Sequence, residues 1–82
     1  MNQWAVYLLT CSDGTLYCGI TNNLTKRIKA HNDGVGAKYT RGRTPVKLFR
    51  VFYCATKSEA LKLERRIKKA SRQQKETFLF DQ

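Results

Sequence analysis

Acidic residues are scarce in this chain. Six Asp and Glu stand against sixteen Lys and Arg, giving a formal charge of +10. A field of that sign attracts phosphate backbones or anionic membranes and releases their counterions, so a polyanionic partner is the first expectation. Long apolar runs are missing as well, and the negative mean hydropathy excludes a membrane-spanning chain. No amphipathic segment carries bulky apolar residues on an exposed face, which argues against an anionic membrane surface as the partner. Cysteine is sparse: Cys11, Cys18 and Cys54 are odd in number and form no C-x-x-C pair. Each sits in an apolar run, where cysteine behaves as a small hydrophobe, so reduced core thiols are expected. Residues 1–5 lack the basic start, apolar middle and small-residue cleavage site of a signal peptide, and a cytoplasmic location is the simplest expectation.

What is present suffices for one core. At 82 residues, with 41% hydrophobic and 11% aromatic side chains, the chain fits a single domain spanning residues 1–82, with no repeat, low-complexity tract or internal boundary. Val6–Thr10 and Leu16–Ile20 are short β-prone runs separated by Ser12-Asp13-Gly14, and they read as a β-hairpin. A two-residue turn at Asp13-Gly14 would place Tyr7 and Tyr17 on opposite faces. A three-residue turn with a left-handed Gly14 pairs Cys11 with Thr15 and makes the tyrosines diagonal neighbours on one face. The other face then carries Trp4, Val6, Leu8, Leu16, Cys18 and Ile20. Being the more continuously apolar, it is assigned to a helix-packed core, leaving the tyrosine face for a site.

Thr21-Asn22-Asn23 offers N-caps for a helix from about Leu24 to Asn32, which Asp33-Gly34 would end. Leu24 and Ile28 face inward there, while Arg27 and His31, four apart, project together beside that stripe. Residues 33–45 hold three glycines and read as a loop. In it, Lys38, Tyr39, Thr40, Arg41 and Arg43 interleave charge, hydroxyl and ring in a manner suited to backbone phosphates and base stacking. Val46–Cys54 reads as a third strand. Thr56-Lys57-Ser58-Glu59 is a capping box that starts a helix running to about Ala70, and Ser71-Arg72-Gln73-Gln74 suggests a last short helix docking Phe78 and Leu79. The fold class expected is therefore α/β of the α+β type: a small three-stranded antiparallel sheet flanked by about three helices.

Of the six acids, five have local tasks in turns, caps or the polar C-terminal segment; Glu64 has none. At roughly 100° per residue it falls between Leu61 and Ile67, on the broad face of Ala60, inside the apolar stripe of its helix. Burying an unpaired carboxylate costs on the order of several kcal/mol, so Glu64 needs a cation. An ion pair with Arg27 or another basic residue would serve. So would one Mg²⁺, which accepts a single protein carboxylate and completes its octahedron with waters and phosphate oxygens. One free acid argues against a two-metal site. The basic residues Lys57, Lys62, Arg65, Arg66, Lys68 and Lys69 form a solvated helix face that could also track a phosphate backbone.

Ala5-Val6-Tyr7 and Tyr17-Cys18-Gly19 resemble the two halves of the GIY-YIG motif, with Ala-Val in place of Gly-Ile and Cys18 in place of Ile. Arg27, His31 and Glu64 follow in the order of that family's arginine, histidine and metal-binding glutamate. Residues 36–43, Gly-Ala-Lys-Tyr-Thr-Arg-Gly-Arg, are similar to the signature of its small stand-alone UPF0213 members. No asparagine follows Glu64, unlike in some members such as the excision-repair nuclease. The resemblance implies a GIY-YIG fold and a metal-dependent endonuclease acting on phosphodiester bonds, in DNA more than RNA, with DNA repair as one setting. It implies that Glu64 holds one Mg²⁺ or Mn²⁺ and that Arg27 steadies the phosphorane. Tyr7 or Tyr17 would handle the nucleophilic water, and His31 would orient Tyr17 or the water or accept a proton. Specificity would come from a partner protein. The alternative is a non-catalytic basic nucleic-acid-binding module of the same fold. A nuclease requires the phenols, Arg27 and Glu64 to meet at one concave patch.

Overall fold

The computed structural model describes residues 3–70. Three strands, β1 (Trp4–Thr10), β2 (Leu16–Thr21) and β3 (Lys47–Cys54), form one antiparallel sheet in the order β2-β1-β3. Helices α1 (Leu24–Asn32) and α2 (Lys57–Lys69) and a 3-10 turn at Lys38–Thr40 complete the described elements. The expected short helix at residues 71–74 and the docking of Phe78 and Leu79 lie outside the described residues.

The hairpin takes the three-residue turn. Cys11 donates its N–H to the Thr15 carbonyl at 2.8 Å, and Gly14 adopts φ 84°, a left-handed conformation that costs a glycine little. Asp13 Oδ1 accepts from the Thr15 N–H and hydroxyl and closes the turn. The resulting register pairs Tyr7 with Gly19 and Leu9 with Tyr17, so both tyrosines stand on one face. Between β1 and β3 the pairing shifts by one residue after Leu8, which leaves Phe49 as a bulge that packs on the core.

Alternation along β1 then sends side chains into two apolar layers. Val6, Leu8, Cys18 and Cys54 pack with Ala60, Leu63 and Ile67 of α2, with Trp4, Ile20 and Phe52 at the margin. On the opposite face Tyr7, Leu9, Cys11 and Val46 pack with Leu24 and Ile28 of α1. The tyrosine face, set aside for a site and not for the helix-packed core, is thus also roofed by a helix. The physical reason lies in the sequence: Ala5, Tyr7 and Leu9 make that face of β1 as apolar as the first, and water would not tolerate it bare. All three cysteines are buried and free, as expected of core thiols.

Both helix starts follow the sequence. Asn23 caps α1, its side-chain oxygen accepting from Lys26 N–H at 3.1 Å, and Thr56 caps α2 by accepting from Glu59 N–H at 3.1 Å. Helix α1 ends in a Schellman arrangement, with Val35 N–H on the Ala30 carbonyl and Gly34 N–H on that of His31, Gly34 taking φ 79°. One inward assignment on α2 is corrected: Leu61 is exposed and Leu63 is buried. Relative to Ala60 they lie at roughly +100° and −60° around the helix, and the sheet meets the second side.

Candidate active site

Four of the five residues singled out for chemistry stand on the α1 face, and the fifth, Glu64, lies on α2, which packs on the other side of the sheet. Tyr7 is fully buried under α1 and passes directly over Gly19 on the neighbouring strand. A Cβ at position 19 would lie 2.5 Å from the Tyr7 hydroxyl, so only glycine lets the phenol extend across β2. Tyr17 is half-buried on the same face, its ring 6.4 Å from that of Tyr7.

His31, expected beside the buried stripe of α1, is completely enclosed. Its Nε2 is 2.9 Å from the Tyr7 hydroxyl and its Nδ1 is 2.8 Å from the Thr40 hydroxyl. Its ring also meets the Tyr17 ring edgewise at 5.2 Å. The loop after α1 folds back over the imidazole. At Gly36 an added Cβ would sit 2.5 Å from Nδ1, so this second glycine is also a matter of space. Burial, and then the charge of Arg27, push the His31 pKa down, so the ring is neutral at neutral pH.

Arg27, half-buried one turn before His31, faces the Tyr7 phenol and acts electrostatically on Tyr17 as well. Burial raises the pKa of both tyrosines. For Tyr7 the Arg27 side chain offsets part of that effect; for Tyr17 the cations Lys68 and Arg27 pull down while the Glu64 carboxylate pushes up.

Glu64 therefore lies within electrostatic reach of Tyr17, although α2 packs on the opposite face of the sheet. It can do so because β2 is an edge strand, and Glu64 sits on the flank of the buried stripe of α2, roughly 40° from Ala60. Its side chain is only 17% exposed and pairs with Lys68 Nζ at 3.4 Å, one helical turn on. The cation expected for it is thus Lys68, on its own helix. That residue had been read only as part of a solvated face, although its i,i+4 spacing from Glu64 was visible.

The loop residues divide by exposure. Lys38 and Arg41 are exposed, and Tyr39 is 40% exposed with its ring stacked on Tyr17 at 5.7 Å. Arg43 lies over the Tyr39 ring at 4.3 Å, and its guanidinium bonds Asp13 at 2.9 Å and the Tyr39 carbonyl. Thr40 has no exposed surface with which to reach a phosphate; its hydroxyl is spent on His31 and on the Ala37 carbonyl. Spacing alone could not separate Thr40 and Arg43 from their neighbours, because both are engaged by partners distant in sequence.

Among the described residues no three His, Cys, Asp or Glu side chains gather into a metal-binding group. A single recessed carboxylate suits a hard divalent ion that keeps waters and takes substrate oxygens, and Glu64 is such a donor. Arg27 also lines a surface cleft together with Asn23, Lys26 and Ala30.

The family model of the GIY-YIG catalytic domain matches residues 3–77. A UPF0213 protein of Bacillus licheniformis is 53% identical over 78 residues, covering 95% of this chain and 80% of the relative. A UPF0213 protein of Halobacterium salinarum is 55% identical over 73 residues, covering 89% of this chain and 95% of its own length. The solution NMR structure of a UPF0213 protein from Bacillus halodurans matches at 42% identity and a TM-score of 0.60, covering 95% of this chain and 83% of that one. That of an E. faecalis protein matches at 40% identity and a TM-score of 0.70, covering 99% and 86%. By its fold, its motif positions and its relatives, the chain belongs to the GIY-YIG catalytic-domain family and, within it, to the UPF0213 group.

Proposed function

We propose that the chain is a phosphodiesterase of the nuclease type, hydrolysing DNA backbones with one divalent ion. The supporting observation is that Tyr17 lies within the electrostatic reach of Arg27, Lys68 and Glu64, the last two paired with each other, beside a buried Tyr7–His31 hydrogen bond. Tyr17 is the phenol that handles the water, because Tyr7 is enclosed and hydrogen-bonded to His31, whereas Tyr17 is half-buried and feels the charge of the carboxylate. Its oxygen accepts a hydrogen bond from the attacking water and aligns it with the phosphorus. Arg27, which lines the neighbouring cleft, places its fork-shaped charge on the equatorial oxygens of the transition state. Glu64 would hold the Mg²⁺ or Mn²⁺, which when bound supplies positive charge against the departing oxygen. Lys68 orients the carboxylate until then. Lys38, Tyr39 and Arg41 line the approach and take backbone phosphates and a stacked base. Specificity beyond this core would come from a partner protein, and the cytoplasm is the setting in which its three free thiols stay reduced.

Purified protein, offered duplex, flap, junction and single-stranded DNA with and without Mg²⁺ or Mn²⁺, is expected to yield metal-dependent products. Glu64→Ala should abolish cleavage and leave binding within about twofold, since the ion acts on developing rather than ground-state charge. Equal, metal-independent binding by both proteins, with no product from any substrate, would establish the non-catalytic binding module instead.

A further inference from the structure

Thr40 lies on the loop where the signature residues cluster, yet it faces inward. Its Oγ1 is 2.9 Å from the Ala37 carbonyl oxygen, which can only accept, so the hydroxyl proton is committed there. Oγ1 then presents a lone pair to His31 Nδ1 at 2.8 Å, which requires a proton on Nδ1. A neutral imidazole carries one N–H, so Nε2 is bare and accepts the Tyr7 hydroxyl at 2.9 Å. The other end of the chain agrees. Arg27 faces the Tyr7 oxygen with donors only, so the buried phenol proton needs Nε2 as its acceptor.

The opposite tautomer would let Nδ1 accept from the Thr40 hydroxyl and from the Ala37 N–H. That amide is 3.4 Å away, beyond the usual length of such a bond, and the 2.9 Å bond to the Ala37 carbonyl would be lost in exchange. The exchange trades a 2.9 Å bond for a 3.4 Å one and leaves the Tyr7 hydroxyl proton facing a protonated Nε2 with no acceptor, so the Nδ1–H form is favoured. Gly36, whose missing Cβ leaves room for the imidazole, holds the ring plane against the loop.

We infer that Thr40 is a positioning residue, which acts through His31 by fixing the Nδ1–H tautomer so that Nε2 holds the Tyr7 hydroxyl and the Tyr7 oxygen faces Arg27. The consequence for turnover rests on the nuclease reading above; the tautomer does not.

The chain has a single histidine, so one imidazole dominates the long-range proton–nitrogen correlation spectrum of isotope-labelled protein. Wild type should show a neutral ring protonated at Nδ1. Thr40→Val keeps the shape but removes the acceptor, and should shift the ring toward the Nε2–H form; Thr40→Ser should restore the wild-type pattern. If Thr40→Val fails to fold, Thr40→Ala carries the same comparison. In cleavage, kcat should fall roughly 10-fold or more in Thr40→Val with KM within about twofold, and Thr40→Ser should recover most of the loss, as expected for a displaced group near the reacting atoms. An Nε2–H ring in wild type, or an unchanged ring in Thr40→Val, would overturn the inference. So would a raised KM with unaltered kcat, which would make Thr40 a substrate contact. Absence of cleavage by wild type would count against the nuclease reading alone, because the spectra would still decide the tautomer.

Discussion

Gly19 shows how one missing methyl can build a site. Its cross-strand partner is Tyr7, and the phenol reaches His31 only by crossing the bare Cα. Gly19→Ala should therefore cost about 1–3 kcal/mol, the usual range for overpacking a close-packed interior. It should also lengthen the Tyr7–His31 bond, because the ring has no free volume into which to retreat. Urea unfolding measures the first effect and the Tyr7 ring resonances the second; a protein of unchanged midpoint and spectrum would show that the ring can swing aside. At this scale much of the site was legible. Turn length placed both tyrosines on one face, and helical angle marked Glu64 as an acid in the apolar stripe of its helix, although the exposure of Leu61 moves that stripe and leaves Glu64 at its flank. The burial of His31 was not legible, because periodicity gives a direction around α1 and says nothing of a loop that folds back from residues 36–40. Thr40 was misread for the same reason: a hydroxyl among cations resembles a phosphate ligand until its partners are known.

At the scale of elements, the loop between α1 and β3 is fastened to the hairpin turn. Ser12 N–H donates to the Arg43 carbonyl at 2.8 Å, the Asp13 carboxylate takes the Arg43 guanidinium, and Arg43 presses Tyr39 onto Tyr17. The ion pair is open to solvent, so it adds little to stability, and its value lies in holding the stack. Arg43→Ala is accordingly expected to leave the denaturation midpoint almost unmoved while collapsing the ring-current shifts that Tyr17 and Tyr39 impose on each other. Unaltered shifts would mean that Tyr39 stacks without help. Helix limits were well signalled, since Asn23, Thr56 and Gly34 each meet a local backbone need. The Asp13–Arg43 link was not, because it joins residues thirty apart whose encounter depends on the whole loop path.

At the scale of the molecule, the charge of +10 predicts binding that weakens steeply with salt. For duplex DNA, the slope of log affinity against log salt should become shallower by roughly 0.9 for each phosphate contact removed. Arg41→Ala and Lys38→Ala should each show that loss, measured by titration at several salt concentrations, whereas Thr40→Val should not. A slope untouched by either cation would move the binding surface elsewhere, with the basic face of α2 next to be tested. No helix among the described residues is long and apolar enough to cross a membrane, in keeping with the composition. The two-sided roofing of the sheet has a developmental corollary. The hairpin and α1 bring together phenols, imidazole and guanidinium, all from the first half of the chain, but the carboxylate arrives with α2, the last described element, on the far side. On the nuclease reading, a chain emerging from the ribosome is therefore harmless to nucleic acid until α2 has docked, and competence to cut waits for that step.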